Sequence, residues 1–358
     1  MARIARYPLT SCRQRLLRAL VLLALLASGG SQSPAIAAEP PHLTVLAYRQ
    51  MAYVSPILEG FTQESGIEVD VISGLPDELL DRMSEEGSAG RADVLLTLDL
   101  ANLAKAQERG VLRPISSVYL QQTVPPAWWG ENRMWIAQSR WLKTIVFSRA
   151  RLSAGVRHYE DLALPALRGQ VCVRTSDTAY ATSFMAAMIG QVGAAEAERW
   201  ARSVVENLAA PPFESAKGLL AALADGTCAV GLDNSFYLAR AQTSGQQADS
   251  AVAETVRVSA GGPGPCGESE RAIVGISGAG IARHSPYPDS ARRLLEFMAR
   301  PENQVRYAQA AGELTVSVIS KPAGEVMELP ACADPAPPQS AARFLSAAPT
   351  IYAAAGWK

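Results

Sequence analysis

From Leu43 onward the chain alternates between short apolar or period-two runs and longer runs of helical spacing. That alternation restricts the fold more than any other feature. "LTVLAY" reads as a strand, and "SPILEGFTQESG" follows with helical spacing, ending on Gly66, a residue type that readily stops a helix. "IEVDVIS" then alternates with period two. "PDELLDRMSEEG" opens on proline and acids, which suit the first turn of a helix, where N–H groups lack partners and carry partial positive charge. "ADVLLTLD" reads as a buried strand and "LANLAKAQERG" as the next helix. Strands and helices in this order imply an α/β sheet with helices on its faces.

The middle of the chain begins with a loop rich in proline and aromatics, "TVPPAWWGENR" (123–133). "KTIVFS" reads as a strand, and "HYEDLALPALRGQVCVRTS" as a helix, a loop and a strand. Residues 178–209 read as two helices, and "SAKGLLAALADG" as another that feeds the run "GTCAVGLDNSFYLAR". "SAGGPGPCGES" (259–269) has a hinge-like composition. "RAIVGISGAGIAR" is strand-like, "SPYPDSARRLLEFMARPENQVRYAQAAG" supplies two helical segments, and the tail after Pro335 is helical again. No internal repeat or low-complexity tract is present.

Residues 1–38 are expected to be a secretory signal peptide. Arg3, Arg6, Arg13, Arg15 and Arg18 precede the apolar run Ala19–Ala27, and "SPAIAA" supplies a small-residue exit near Ala38. The apolar run is far shorter than the ~18 residues of a membrane span. "LTSC" (9–12) precedes that run rather than following it, so Cys12 belongs to the leader and not to a lipid-anchored product. Of 33 basic residues, removing the five leader arginines leaves 28 against 34 acidic, a balance of −6. A nucleic-acid partner, which normally leaves a basic patch, is not expected.

Cys172, Cys228, Cys266 and Cys332 remain, an even number in an exported chain, as disulfides require. Four cysteines allow three pairings. Cys172 and Cys228 lie in short β-like runs ("GQVCVR", "GTCAVG") that would be neighbours in a sheet, which favours that pair and hence Cys266–Cys332. The spacings fit no zinc pattern, and with only His42, His158 and His284 an imidazole-rich metal site is not expected. The sequence contains no G-x-S-x-G elbow, P-loop or H-E-x-x-H. "GISGAGIAR" lacks the third glycine of a dinucleotide fingerprint, and Glu85–Glu86 and Glu160–Asp161 are adjacent rather than facing. An enzyme is not expected.

Several local motifs in order resemble the periplasmic solute-binding proteins of ABC importers, most closely the ferric-iron-binding, transferrin-like branch. They are "GFTQESGIEVDVISGLPDELLDRMSEEG", "ADVLLTLDLANLAKAQERGVLRPI", "YEDLALPALRGQ", "NSFYLARA", "ISGAGIARHSPYPDSARRLLEFMARPENQ" and the closing "AAAGWK". The resemblance covers nearly all of residues 42–358 and is weakest around 313–340. It implies a type 2 periplasmic-binding-protein fold, with two α/β lobes joined by crossover hinge strands and a ligand between them. One lobe would hold residues 42–140 plus about 267–325, and the other 141–266 plus about 326–358. A monomeric periplasmic receptor serving an ABC permease and its ATPase is implied, with ferric iron as transported ligand.

Ferric ion is a hard cation that prefers anionic oxygen, and tyrosine supplies one once a bound cation displaces a proton that otherwise leaves at about 10. Iron-binding members of this branch carry adjacent tyrosines at a strand-to-helix junction; here the pair is Phe236-Tyr237, and only Tyr237 keeps a hydroxyl. The resemblance further implies Tyr180 as a ligand, and it places Phe147 where some relatives have another tyrosine. "LAYRQMAYVS" matches the family's first-lobe region. Gln50 stands at a frequent histidine position there, with Tyr48 and Tyr53 as alternative oxygen donors. Leu98 occupies a position that is glutamate in some relatives, with Asp99 beside it. Two phenolates do not fill the coordination sphere of ferric iron, which would be completed by Tyr48, Tyr53 or Asp99 from the other lobe or by a synergistic anion. Thr175, Ser176 and Thr178, before a predicted helix, would receive it, and Lys143 would balance its charge. Trp128, Trp129, Trp135 and Trp141 are expected to pack the lobes or line the cleft rim. Two other readings keep the receptor fold: a small organic anion or phosphonate in place of iron, or a ligand-poor signalling or docking receptor.

Overall fold

The computed structural model describes residues 42–48, 51–148, 150–152, 156–243, 252, 256–259, 273–316 and 338–358. The expected leader, Gln50, Cys266, Cys332 and most of the hinge-like loop lie outside the described residues.

The alternation read in the first third is the observed one. Strand β1 (His42–Ala47) pairs in parallel with β2 (Glu68–Ser73) and β3 (Val94–Thr97). Helices α1 (Met51–Ser65), α2 (Pro76–Glu86) and α3 (Leu100–Glu108) connect or follow them. β3 is buried at all four positions, whereas β2 alternates and leaves one face exposed at the sheet edge, as its period-two sequence requires. Short β4 (Leu112–Arg113) and α4 (Val118–Thr123) follow.

The long β5 (Ile136–Ser148) holds the two halves of the sheet together. Its first half, Ile136–Leu142, pairs antiparallel with β9 (Val274–Ala282), which itself pairs antiparallel with β3. Its second half, Lys143–Phe147, pairs antiparallel with β7 (Val230–Asn234), and Ile145–Ser148 pairs with β8 (Val256–Ser259). β6 (Val171–Val173) completes the order β2-β1-β3-β9-β5-β7-β6. Chain passes from one half-sheet to the other within a single strand. Trp141, at the crossing, lies flat on Gly275 of β9; a Cβ added there would sit 2.1 Å from the indole, so only glycine fits.

The remaining helices are α5 (Ala179–Val192), α6 (Ala194–Glu206), α7 (Ala216–Ala224), α8 (Ser235–Thr243), α9 (Pro288–Met298), α10 (Pro301–Ala311), α11 (Pro338–Ala342) and α12 (Ala348–Ala355). α12 packs on α5 and α6, and α10 on α1. The helix expected in "HYEDLALPALRGQ" is instead two 3-10 turns, Tyr159–Ala163 and Pro165–Leu167. Pro165 supplies no N–H and holds Leu164 extended, which ends the first turn. Cys172 and Cys228 form a disulfide with Cα atoms 5.9 Å apart, joining β6 to the approach of its parallel neighbour β7. Trp128, Trp129, Trp135 and Trp141 are all buried, as packing groups are. No helix of the described residues is long and apolar enough to cross a membrane.

Candidate metal centre

Three strand-to-helix junctions converge on the crossing. β7 runs directly into α8, which carries Phe236, Tyr237 and Arg240 in its first two turns. Spacings of three and four residues put Arg240 on the same helical face as that pair. Its guanidinium lies 4.5 Å from the Phe236 ring centre and 5.9 Å from that of Tyr237. It also lies 4.4 Å from the ring of Tyr53 on α1, in the first half of the molecule. Arg240 is anchored by its Nε, which donates to the Ala311 carbonyl at 2.8 Å, and by Glu313 at 3.8 Å. Glu313 in turn accepts from the hydroxyls of Ser139 on β5 and Ser277 on β9, gripping both strands at the crossing.

β6 delivers the second junction. Residues 174–178 lead into α5, with Thr178 as N-cap accepting from the Ala181 N–H at 3.1 Å. Tyr180, in the first turn, packs its ring 5.6 Å from Phe236 and 5.1 Å from Trp141. Phe236 also contacts Tyr237 at 4.4 Å and Trp141 at 5.9 Å. The residue lacking a hydroxyl is thus the buried hub, 1% exposed, with the two tyrosines as its half-buried flanks. Gly312 closes this hub from α10. It is left-handed at φ 64°, and a Cβ there would meet the Phe236 carbonyl at 3.1 Å.

The Tyr237 phenol is held above its ordinary range, first by burial and then by the charge of Asp233. Arg174 opposes this by hydrogen-bonding the phenol and, like Arg240, through its positive charge. Protonated at neutrality as any phenol is, the group holds its proton more firmly than an exposed one.

The third junction, β3 to α3, treats its acid differently. Asp99 is 1% exposed and caps α3 by accepting from the Ala101 N–H at 2.7 Å; the Ser183 hydroxyl of α5 donates to the same oxygen. Burial pushes Asp99 up to about 7, against the pull of those hydrogen bonds and Lys143. Tyr48 sits at the end of β1, half-buried against the main core, its N–H donating to Leu96.

The expected anion-binding residues meet with different surroundings. Lys143 is buried, donates to Asn234 Oδ1 at 3.2 Å and lies 5.5 Å from the Phe184 ring. Burial pushes it down to about 8, while Asp233 and Asp99 favour its charge. Asp233 is itself pushed up to about 6 by burial, against Lys143. Lys143, Arg174, Thr175, Thr178 and Tyr180 line one small pocket. Ser176 does not join them: its hydroxyl donates to the Trp357 carbonyl at 3.0 Å. Sequence reading passed over Arg174, Asp233 and Arg240. Two of these had a visible signal, Asp233 beside the aromatic pair and Arg240 one helical turn after it.

The model of bacterial extracellular solute-binding proteins matches residues 48–305. The chain belongs to that family. This member is 31% identical over 290 residues to iron uptake protein A1 of Synechocystis sp., covering 80% of this chain and 79% of that protein. It is 26% identical over 302 residues to the major ferric iron-binding protein of Neisseria meningitidis serogroup B, covering 82% and 83%. Among solved structures, the Trichodesmium FutA (IdiA) protein in complex with iron and citrate superposes with a TM-score of 0.82 at 29% identity, covering 88% of this chain and all of that one. The two-lobed fold of this solute-binding protein is thereby established, and such proteins serve the permeases and ATPases of ABC importers.

Proposed function

We propose that this solute-binding protein is a periplasmic receptor that captures ferric iron between its lobes and hands it to an ABC permease and its ATPase. The observation that carries the reading is the gathering of Tyr53, Tyr180 and Tyr237 around Phe236 and Arg240. Tyr53 comes from α1 and Tyr237 from α8, so donors from both halves approach one place, as a cleft ligand needs. Phenol oxygen suits a hard trivalent cation. Relatives named for ferric iron or iron uptake support the same cargo.

Tyr53, Tyr180 and Tyr237 are assigned as ligands. The lobes are assigned as 42–140 with about 267–325 and 141–266 with about 326–358, hinged at β5 and β9. The remaining coordination positions fall to an exogenous anion near Arg174, Thr175 and Thr178, where two cationic side chains and a helix N-terminus favour negative charge. Tyr48 is a weaker candidate because, among the described residues, its contacts are with the main core and Leu96 and not with the aromatic hub. Asp99 is weaker still, since one carboxylate oxygen is taken by the α3 cap and by Ser183.

Purified protein titrated with ferric citrate is expected to develop a visible phenolate-to-iron band that Tyr237→Phe weakens. A colourless titration with no measurable affinity would sink the reading.

A further inference from the structure

The segment "AAAGWK" (353–358) packs on the loop that carries Arg174 to Tyr237 and feeds Tyr180 into α5. After α12, Gly356 turns the backbone left-handed at φ 77°, and Trp357 folds back, its N–H donating to the Tyr352 carbonyl at 3.0 Å. The buried Trp357 indole packs 5.2 Å from Tyr352 and 5.9 Å from Trp200. Its Nε1 donates to the Arg174 carbonyl at 2.9 Å. Ser176 answers with two bonds of its own, N–H to the Lys358 carbonyl and hydroxyl to the Trp357 carbonyl, each 3.0 Å. One turn further on, the Tyr352 hydroxyl donates to the Ala181 carbonyl at 3.0 Å. Four hydrogen bonds from one short segment thus bracket residues 174–181.

We propose that Trp357 and Ser176 form a clasp that positions Arg174 and Tyr180 for the metal, making Trp357 a positioning residue of the site. The proposal rests on the ferric-iron reading above. The loop's other brace is residues 213–214: the Thr175 N–H and the Arg174 guanidinium donate to carbonyls there. The 213–214 brace holds the loop from one side and the clasp from the other, so losing the clasp frees the loop to shift toward or away from Tyr237. Metal sites depend on such outer partners, whose loss typically weakens binding by about 10- to 100-fold. This also explains why Ser176 is unavailable as an anion donor: its hydroxyl already serves the clasp.

Trp357→Phe deletes the indole N–H while keeping an aromatic ring against Tyr352 and Trp200, and Ser176→Ala removes the opposing hydroxyl. Each variant, loaded with ferric citrate, is expected to shift the phenolate-to-iron band and to speed iron loss to a competing chelator by about tenfold, with a melting temperature close to that of the parent. Trp129→Phe is the control. It removes a comparable buried bond, Trp129 Nε1 to the Val124 carbonyl at 3.0 Å, far along the chain from both the loop and the clasp, so its band is expected to match the parent's. Parent-like band and release rate in both clasp variants would overturn the proposal, as would an equal change in Trp129→Phe. A parent protein that develops no band would bring down the ferric reading and this proposal together.

Discussion

Tyr180 and Tyr237 stand in the first turns of α5 and α8, each just past the C-terminal end of a strand. Asp99 stands at the same kind of junction, between β3 and α3, yet meets a different fate. A carboxylate there is short enough to accept from its own helix, and it does so, with Ser183 as a second donor to the same oxygen. A phenol oxygen lies too far out along its ring to cap its own helix in that way. Stacking on Phe236 and Trp141 fixes the rings and leaves the hydroxyls as the polar ends. Similar local geometry therefore gives a helix-capping acid in one half and, in the other, the two phenols proposed as ligands.

The harshest test of this contrast removes both phenols. Tyr180→Phe with Tyr237→Phe is expected to bleach most of the visible band, leaving only what Tyr53 supplies, and to weaken ferric binding by well over the ~100-fold typical of outer-partner losses, whereas Tyr48→Phe and Asp99→Asn leave the band in place. Metal competition assays check this, and a large loss in Tyr48→Phe would break the comparison.

Next in size is the hub. Trp141→Ala is expected to lower stability by about 3–5 kcal/mol, read by denaturant unfolding, because the indole is 1% exposed and holds Gly275, Tyr180 and Phe236 together. A proton count sharpens the contrast further. Tyr237, like any phenol, is protonated at neutrality, and burial holds the proton more firmly still, so iron bound through it would have to release that proton and would weaken as pH falls. Measured as protons released per iron in calorimetry across buffers, Tyr237→Phe is expected to release about one fewer.

Asp99 adds a pH dependence to the contrast. With its value at about 7 against an ordinary 3.8, the folded protein retains a proton that the unfolded chain has already lost. Stability from this group is full below 3.8 and is lost as pH rises through about 7. Asp99→Asn is therefore expected to fare better relative to its parent at the alkaline end of that window than at the acid end, in melting curves taken across it.

The fold was legible where local chemistry and tertiary structure agree. β2 alternates in sequence and in burial, and α2 announces itself with Pro76, Asp77 and Glu78. Only "KTIVFS" suggested β5, because its first half contains Gln138 and Ser139. Both are buried, with Ser139 paired to Glu313, 174 residues away, and no local period reports such a partner. The tyrosines of the candidate site were legible through family resemblance alone. Arg240 was within reach of helical spacing, but the clasp was not: Ser176 and Trp357 lie 181 residues apart.

The placement of Trp141 has an optical consequence. Its ring edge meets Tyr180 at 5.1 Å, and its indole N–H reaches across to the Leu98 carbonyl at 3.3 Å. An iron–phenolate chromophore formed at Tyr180 would absorb beside a natural fluorophore, so loading should dim the emission of this indole first. With Tyr180 as a ligand, the molecule would carry its own occupancy gauge, readable without any attached dye.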